Sequence, residues 1–519
     1  MTSRPDASMW SRLIPLSFEG RIGLQAQIRE MLVAAILDGR IPIGIALPST
    51  RELSTRLGVA RNTVALAYEL LVDEGWLVTR NRSGHYVNPD MAVRRPVAPQ
   101  GGVEPGVPTV EWSTRIANPV ARQRNIVKPR DWQKYPYPFV YGQIDPTLLP
   151  IPGWRECSIQ ALTGAEARGW AGDLVDGDDA LLVEQIQARL LPRRGVWAST
   201  DEILVTVGAQ HALFLLATLL VGPATTVGIE DPGYPDARNI LAARTPSVVA
   251  LPVDERGLAL SPGLDGCEYV VLTPPHQCPT NVTMPLERRE ALLAWARSKD
   301  RVLIEDDYEM ELDGDGGAQP ALKSLDRTGR VVYVGSLSKT LAPGIRLGYI
   351  VADRALIREA RALRRLMLRH PAANNARSAG LFLAMGYHDS HLRRLRRAHA
   401  ERGAALAAAL ARHLPEVVAS TSPGASSTWL RFPEGADTRV LAAAAEARGV
   451  LIEPGDVFFA GDRPPRQYAR LGFSSIATDR IEPGIAALAT ARRDLASAGT
   501  GASTMHATPG AVLREGRIS

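Results

Sequence analysis

A lysine preceded by two hydroxyl side chains and followed by an arginine lies between two apolar runs of the chain. The segment reads VVYVGSLSKTLAPGIRLGYI and contains Ser336, Ser338, Lys339 and Arg346. The flanking runs are short, rich in β-branched residues and bounded by Gly and Pro, which predicts buried strands. A lysine amine can form a Schiff base, while hydroxyls and a guanidinium can hold a phosphate. The segment therefore suits a phosphorylated aldehyde, although a solvated lysine in a surface loop is an equal alternative for so short a pattern.

The spacing S-x-S-K-x-x-x-x-G-x-R-x-G in this segment resembles the lysine motif of fold-type I pyridoxal-phosphate enzymes, the aspartate aminotransferase family. The resemblance implies that Lys339 carries pyridoxal 5'-phosphate as an aldimine. It also implies that Ser336, Ser338 and Arg346 lie at the phosphate of this cofactor. The rest of the chain must therefore supply the other groups that such a cofactor needs.

Two earlier segments follow predicted strands in the order that this family has them. VGAQHAL opens a helix, so backbone N–H groups near Gly208, Ala209 and Gln210 can bind a phosphate at the helix N-terminus. EDPGYP places Tyr234 after a strand, where its ring could stack on the pyridine ring of the cofactor. Each segment alone is a weak signal, because a tyrosine or a polar loop residue is more often structural.

Two later segments supply groups for the edge of the pyridine ring. IEDDY provides Asp306 for the ring nitrogen and Tyr308 for the phenolic oxygen. A carboxylate beside the nitrogen keeps it protonated, so that the ring can act as an electron sink. TPPHQCPT departs from the family pattern, because Cys-Pro-Thr-Asn at 278–281 replaces Asn-Pro-x-Gly. The asparagine that would contact the phenolic oxygen is missing, and Gln277 or His276 is the candidate to replace it.

An arginine near the end of the chain completes the pattern. Arg470, in RLGFS, resembles the family residue that binds the substrate carboxylate, for which a bidentate guanidinium is suitable. The alternative is a surface arginine before a strand. Several weak signals in the right order, each at a strand end, together indicate a ligand site at the carboxyl ends of parallel strands.

The elements around these segments alternate between strand and helix patterns from about Asp131 onward, which is typical of a doubly wound α/β sheet. From about Arg354 the chain becomes rich in helices. The resemblance to fold-type I aminotransferases implies a mixed, mainly parallel sheet with a smaller C-terminal α+β lobe. We predict strands at 203–207, 226–229, 248–252, 269–273, 302–305, 331–334 and 347–351.

The first ninety residues have a different organisation. Apolar residues recur at helical spacing from Leu24 to Ile36, and Gly39 follows as a stop signal. Ser49 and Glu52 have the spacing of a capping box at the start of a second helix. A third helix is predicted from Arg61 to Glu74, followed by a short hairpin. Three helices and a hairpin are the plan of a winged helix-turn-helix domain, whose third helix enters the major groove of DNA.

The segment LPSTRELSTRLGVARNTVALAYELLVDEGWLVTRNRSGHYV at 47–87 resembles the DNA-binding domain of the GntR family of bacterial regulators. Ala60 replaces the usual helix-capping serine, whose loss costs about 1 kcal/mol. The segment has little net charge, so DNA affinity must depend on where its arginines lie. The residues predicted to contact DNA are Arg51, Arg61, Asn62, Thr63, Arg82 and Gly84.

Composition sets limits on these interpretations. The chain has 519 residues, 45% of them hydrophobic and 22% charged, which is ordinary for a globular protein of two or three domains. Its three cysteines have neither metal-ligand nor disulfide spacing. We therefore expect a cytoplasmic protein without a membrane span or a bound metal. A run of arginines from Arg354 to Arg402 is interpreted as the solvated face of helices, with a second nucleic-acid surface as the alternative.

Domain boundaries follow from these patterns. We predict a winged helix-turn-helix domain at 1–88, a linker rich in Pro and Gly at 89–115, an aminotransferase-like domain at 116–495 and a disordered tail at 496–519. The combination resembles the MocR/GabR subfamily of transcriptional regulators. Membership implies a head-to-tail homodimer that binds a double-stranded DNA operator.

The subfamily also implies a function for the cofactor. Pyridoxal 5'-phosphate on Lys339 would serve to sense an amine or amino-acid effector, with no productive turnover. A working aminotransferase that carries a DNA-binding domain is the alternative, and it requires the same Lys339, Asp306 and Arg470. A DNA-binding repressor with an inert large domain would require the whole cofactor pattern to be accidental. The sequence indicates neither the effector nor the operator.

Overall fold

Two units divide the chain of the computed structural model, Met1–Arg115 and Ile116–Ser519. The structure describes residues 16–17, 22–80, 84–91, 110–117, 119–309, 320–422 and 424–503. Arg82, most of the predicted linker and residues 504–519 lie outside these ranges.

The first unit is built around three helices and a hairpin, as predicted. Its elements are α1 (Leu24–Leu37), α2 (Thr50–Leu57), α3 (Arg61–Asp73), β1 (Leu77–Arg80), β2 (Gly84–Val87) and α4 (Trp112–Arg115). Helices α1, α2 and α3 each bury one apolar face. These faces form a common core that includes Ile28, Leu53 and Tyr68. The two strands pair antiparallel, with Leu77 opposite Val87.

The ends of these helices follow from local chemistry. The Ser49 hydroxyl accepts a hydrogen bond from the Glu52 N–H, which is the first half of the predicted capping box. α2 ends at Gly58, whose left-handed conformation (φ +66°) suits a residue without a Cβ. α3 begins after Ala60 without a side-chain cap, as expected from the missing serine.

The second unit contains a large sheet, a small sheet and their helices. Its strands are β3 (Tyr137–Pro138), β4 (Ile203–Thr206), β5 (Val227–Asp231), β6 (Val248–Asp254), β7 (Gly257–Leu258), β8 (Tyr269–Leu272), β9 (Val302–Asp307), β10 (Val331–Ser336), β11 (Gly348–Val351), β12 (Val418–Ser420), β13 (Ser427–Arg431), β14 (Val450–Leu451), β15 (Glu453–Pro454) and β16 (Tyr468–Gly472). Its α-helices are α5 (Ile151–Ala161), α6 (Gly164–Trp170), α7 (Ala180–Gln185), α8 (Ala209–Leu220), α9 (Pro235–Ala242), α10 (Leu286–Ser298), α11 (Leu322–Leu325), α12 (Arg354–Leu368), α13 (Ala373–Ala384), α14 (Tyr387–His413), α15 (Thr438–Glu446) and α16 (Thr478–Ser503).

The large sheet has eight strands in the order β4-β11-β10-β9-β8-β5-β6-β7. Neighbouring strands from β10 to β6 are parallel, whereas β11 is antiparallel to both of its neighbours and β7 is antiparallel to β6. This is the predicted α/β architecture with a mixed, mainly parallel sheet. All the predicted strands of this sheet are present, with small differences at their ends.

Strand side chains alternate between two buried layers, one on each face of the large sheet. On β10, Tyr333 packs in the layer with α7 and α13, whereas Val332 and Val334 pack in the layer with α8 and α12. Successive strand residues point to opposite faces, so helices on both faces require strands that are apolar throughout. This burial explains why the strands of the sheet appear as continuous apolar runs in the sequence.

The C-terminal part forms a smaller lobe around an antiparallel sheet in the order β12-β13-β16-β15. Its core joins that sheet to α14, α15 and α16 through Leu406, Leu441 and Ile485. α16 continues to Ser503, past Ala496, where we expected a disordered tail to begin. Within the described ranges, none of the helices combines the length and apolar character that crossing a membrane requires.

The arginine run from Arg354 onward is only partly a solvated face. Arg364 is fully buried and donates hydrogen bonds to the carboxylate of Asp178 and to the backbone. Arg402 is also buried and pairs with Asp145. These arginines are retained inside because a carboxylate and backbone carbonyls accept their hydrogen bonds. The interpretation as a wholly solvated face is therefore wrong for these two residues.

Candidate functional site

The carboxyl ends of the parallel strands meet at one edge of the large sheet, and most of the predicted cofactor residues line a cavity there. The predicted residues on the cavity wall are Ala209, Gln210, Tyr234, Asp306, Tyr308, Ser336, Ser338, Lys339, Arg346 and Arg470. They come from separate segments of the chain. Gly208 lies next to this wall beneath Arg346, and Gln277 does not line the cavity.

Lys339 follows β10, and its amine is buried against an aromatic ring. Its Nζ lies 4.0 Å from the centre of the Tyr141 ring. A Cβ at Gly142 would lie 2.7 Å from this Nζ, so a side chain there would displace the lysine. Burial lowers the pKa of Lys339 to about 8, and the nearby cations Lys128 and Arg470 act in the same direction. A lowered pKa increases the neutral, nucleophilic fraction of the amine.

A set of donors suited to an anion lies between β4 and β10. α8 begins at Ala209, and the N–H groups of its first turn have no acceptor within the helix. The Arg346 guanidinium lies over this turn, where its Nη2 donates to the Val207 carbonyl at 3.2 Å. The Ser338 N–H donates to Ser336 Oγ at 3.2 Å, whereas the buried Ser338 hydroxyl has no partner among the described residues. This arrangement can hold a phosphate.

Asp306, on β9, is buried and incompletely paired. Its Oδ1 has no hydrogen-bond partner among the described residues. Burial raises the pKa of Asp306 to about 7, and the neighbouring Asp307 carboxylate adds to the increase. A buried carboxylate oxygen without a partner would be stabilised by a cation or an N–H donor bound in the cavity.

The two predicted tyrosines lie on the cavity wall with their hydroxyls already engaged. Tyr234 directly precedes α9 and donates to Asp236 Oδ2 at 3.0 Å. Tyr308 donates to the His276 carbonyl at 2.8 Å. Both rings can therefore border a flat ligand in a fixed orientation.

The prediction for Gln277 does not fit the structure. Its side chain is buried in its own loop, where Nε2 donates to Glu230 Oε2 at 3.2 Å and to the Pro232 carbonyl at 2.8 Å. The other candidate, His276, is turned toward Ser422, which lies 3.0 Å from its Nδ1. Cys278 lines the cavity instead. The amide of Gln277 is used in hydrogen bonds within the loop, and it is the next residue that borders the cavity.

Arg470 lies on β16 with its guanidinium between two aromatic rings. Its Cζ is 3.9 Å from the centre of the Tyr141 ring and 4.6 Å from that of Phe458. Its Nε donates to Glu453 Oε2 at 2.8 Å. Burial acts to raise the pKa of Glu453, but Arg470 and Lys128 outweigh it, and the pKa is lowered. The site thus contains a fixed carboxylate beside the predicted effector arginine.

Sequence reasoning missed several residues of this site. Lys128, Tyr141 and Gly142 come from the chain before α5, where no motif marked them. Glu453 pairs with Arg470 because β15 and β16 are neighbours and place the two residues opposite each other. Strand pairing of this kind has no local signal in the sequence.

The residues predicted to contact DNA lie at the start of two helices and at the hairpin. Arg51, Arg61 and Asn62 are exposed, and Thr63 is half-buried. The Arg61 Nε lies 3.4 Å from Thr50 Oγ1 at the start of α2, so the two helix N-termini are close. Gly84 opens β2 with a φ of +100°, which suits glycine. Arg82 lies outside the described residues.

Comparisons with known proteins match both units. Residues 153–488 match the family described as aminotransferase class I and II, and residues 24–87 match bacterial regulatory proteins of the gntR family. The HTH-type transcriptional regulator TauR of Rhodobacter capsulatus is 43% identical over 478 residues, which cover 91% of this chain and 97% of that protein. The probable rhizopine catabolism regulatory protein MocR of Rhizobium meliloti is 31% identical over 498 residues, with coverages of 94% and 97%.

A solved structure supports the assignment of the large unit. LysN, an α-aminoadipate aminotransferase from Thermus thermophilus, has a TM-score of 0.68 and 26% identity, and the match covers 75% of this chain and all of that chain. The family of this fold depends on pyridoxal phosphate. The chain therefore belongs to the DNA-binding transcriptional regulators of the MocR and TauR type, which join a GntR-type helix-turn-helix domain to an aminotransferase class I and II domain.

Proposed function

We propose that this regulator binds pyridoxal 5'-phosphate through Lys339 and senses an amine or amino-acid effector in the same cavity. Effector binding then changes its affinity for a DNA operator. The observation that carries the proposal is the cavity itself. It joins a buried lysine amine to an anion-binding helix start and to the unpaired carboxylate oxygen of Asp306.

The residues present fit this cofactor. Asp306 Oδ1 would accept a hydrogen bond from the protonated pyridine nitrogen, for which it has no competitor among the described side chains. Arg346, Ser338 and the first turn of α8 would hold the phosphate, with Ser336 supporting Ser338. Tyr234 would border the ring. Bound there, pyridoxal 5'-phosphate supplies an aldehyde carbon to which amines add.

The cavity would recognise the effector through its amine and its acidic group. Arg470 would bind the carboxylate of the effector, and Lys339, beside the Tyr141 ring, would be the amine with which the effector's amine competes for the cofactor. An effector can shift DNA binding only if it has different affinities for two conformations of the protein, and the effect must be reciprocal.

The first unit would contact DNA as winged helix-turn-helix domains do. The first turn of α3, with Arg61, Asn62 and Thr63, is exposed or half-buried, so it can enter the major groove. Arg51 would contact the phosphate backbone, and the hairpin at Gly84 would contact the adjacent groove. A protein that binds chromosomal operators in bacteria works in the cytoplasm.

We also propose that the regulator is a head-to-tail homodimer. α5 and the residue after it expose Ile151, Ile159 and Leu162, with 56%, 58% and 66% of each residue accessible in the single chain. Apolar side chains grouped on one helix support contact with a second copy. Sedimentation of the full chain measures whether two copies associate, and a monomer at operator-binding concentrations would contradict the proposal.

Lys339→Ala tests the function directly. The operator is first identified by sequencing the DNA that the wild-type protein retains. The variant should bind this operator as the wild type does, but borohydride should not attach the cofactor permanently to it as it does in the wild type. Its operator binding should not respond to amines. Lys299→Ala, an exposed lysine paired with Asp265, is the control. A variant that responds like the wild type would show that Lys339 is not the sensor.

Amino-group transfer is a second candidate, because Lys339, Asp306 and Arg470 line one cavity as transfer requires. It would be measured as oxo-acid formation from a panel of amino acids with an oxo-acid acceptor. Turnover that persists through many cycles would support an enzyme as well as a regulator. A single round of amine binding without product release would leave regulation as the function.

A further inference from the structure

A second lysine lies next to the effector arginine. Lys128 belongs to the 119–130 segment, which precedes β3 and lines the cavity through Ile126 and Lys128. Its Nζ donates to the Tyr141 carbonyl and lies 3.3 Å from Glu453 Oε1. Glu453 is thus shared between Lys128 and Arg470, its partner through Oε2.

Glu453 leaves N–H donors on both Arg470 and Lys128 that a ligand could use. It occupies the Nε side of Arg470, whereas Arg470 Nη2 is buried without a partner among the described residues. An ammonium has three donors, of which the hydrogen bond to the Tyr141 carbonyl uses one, while the contact with Glu453 Oε1 is an ion pair. Two cations and one carboxylate leave one positive charge, which one anionic group would neutralise.

Lys128 is also close to the reacting amine. A Cβ at Gly142 would lie 2.7 Å from Lys339 Nζ and 3.8 Å from Lys128 Nζ, so both ammonium groups border the same glycine. An anionic group held at Lys128 therefore lies a short distance from the position where the effector's amine replaces that of Lys339. This favours a compact effector.

We propose that Lys128 and Arg470 together bind the single anionic group, a carboxylate or a sulfonate, of a compact amine effector, while Glu453 holds the two cations in place. The proposal rests on the proposed function of the cavity. It assigns Lys128 as a residue that determines effector specificity, which neither its type nor its place in the sequence indicated.

The segment that contains Lys128 lies close in sequence to the start of the second unit. The 119–130 segment is fixed through Arg124, whose Nη2 donates to the Gly461 carbonyl at 2.7 Å and whose carbonyl accepts from Asn239 Nδ2 at 3.0 Å. The second unit begins at Ile116, a few residues before this segment. An effector bound to Lys128 would therefore contact a segment that begins a few residues after the start of the second unit.

The test titrates cofactor-loaded, full-length protein with amines while following its visible absorbance. Glycine and β-alanine carry a carboxylate, 2-aminoethanesulfonate carries a sulfonate, and propylamine carries no anion. Lys128→Ala should weaken binding of the anionic amine that the wild type prefers at least about tenfold, the effect of losing one charge-assisted hydrogen bond. Propylamine should bind within about twofold of wild type, because it has no group for Lys128 to contact.

Two further variants make the result specific. Lys128→Arg keeps the charge and should retain most of the affinity for the anionic amine. Lys134→Ala removes an exposed lysine of the same stretch, paired with Asp131, and should match the wild type. Hydrogen exchange should show protection of residues 119–130 by the anionic amine in the wild type and not in Lys128→Ala.

The possible results distinguish the role of Lys128 from the sensing function of the cavity. If Lys128→Ala weakens propylamine as much as the anionic amine, or weakens neither, the assignment of Lys128 is wrong while the function of the cavity stands. If the wild-type protein takes up the cofactor but its absorbance responds to no amine, the proposed sensing function fails as well.

Discussion

Gly208 lies directly beneath the guanidinium of Arg346, so that a Cβ at this glycine would be 3.0 Å from Arg346 Nη2. The two residues are far apart in the chain and meet because β11 pairs antiparallel with β4, with Gly348 opposite Thr206. Gly208 also has a φ of +79°, a conformation that residues with a Cβ rarely adopt. The arrangement that we propose to bind a phosphate therefore depends on the absence of a side chain at this position.

Gly208→Ala should weaken binding of pyridoxal 5'-phosphate. At φ +79° and ψ 171° the backbone of Gly208 lies in a region that is essentially restricted to glycine, which costs an alanine about 1–3 kcal/mol. The new methyl group also displaces Arg346 from the first turn of α8. Titration of cofactor-free protein with pyridoxal 5'-phosphate measures the loss, expected to be about tenfold or more. Gly222→Ala is the control, because a Cβ there would meet only Thr225 Oγ1, at 3.8 Å. Equal affinities for the two variants would contradict the assigned phosphate site.

Asp306→Asn should change how stability depends on pH in the cofactor-free protein. The native pKa of Asp306 is raised to about 7, above its value in the unfolded chain. The protonated Asp306 carboxyl therefore contributes its full stabilisation to the folded protein below about pH 4. As the pH rises toward 7 the free energy of unfolding falls, by about 1.4 kcal/mol per pH unit at most. The variant should gain unfolding temperature relative to wild type between pH 5 and 7.

The same comparison in the presence of the cofactor provides the control for Asp306. A protonated ring nitrogen would stabilise the charged carboxylate, so the advantage of the variant at pH 7 should disappear when pyridoxal 5'-phosphate is added. If the variant and the wild type had the same pH dependence in both states, Asp306 would not be the group that faces the ring.

Arg470→Ala should leave the visible absorbance in place but require at least about tenfold more effector to change operator binding. The reason is that Arg470 is the residue we propose to bind the acidic group of the effector, whereas other residues would hold the cofactor. Removing one partner of a buried ion pair is also destabilising, by about 3–5 kcal/mol, so unfolding must be measured in parallel. Arg466→Ala, at an exposed arginine paired with Asp437, should behave as wild type.

Arg61→Ala should reduce operator affinity by about 1–3 kcal/mol if the side chain contacts a base edge, while cofactor absorbance remains unchanged. Its exposed position in the first turn of α3, off the buried stripe, is the basis of this prediction. Arg40→Ala, which removes an exposed arginine paired with Asp38, is the control in the same unit. Unchanged affinity across several operators would show that α3 does not read the groove through this residue.

The sequence alone determined the architecture of both units and the regulatory family. Apolar periodicity and turn residues are local, and they placed the three helices of the first unit and the strands of the large sheet. The lysine segment and Asp306 could also be found, because Lys339 follows one buried strand and Asp306 lies near the end of another, and both strand ends are visible in the sequence. The relatives confirm the regulator interpretation and do not favour a working enzyme.

Only the tertiary structure decided which side chains of the remaining segments, apart from the lysine segment and Asp306, border the cavity or contact Arg470. Gln277 was a candidate by type, but the loop uses its amide internally and presents Cys278. Glu453 and Lys128 reach Arg470 through strand pairing and through a segment distant in sequence. Local patterns report propensity and burial, whereas contacts between distant segments depend on how elements pack, and no single segment of the sequence contains that information.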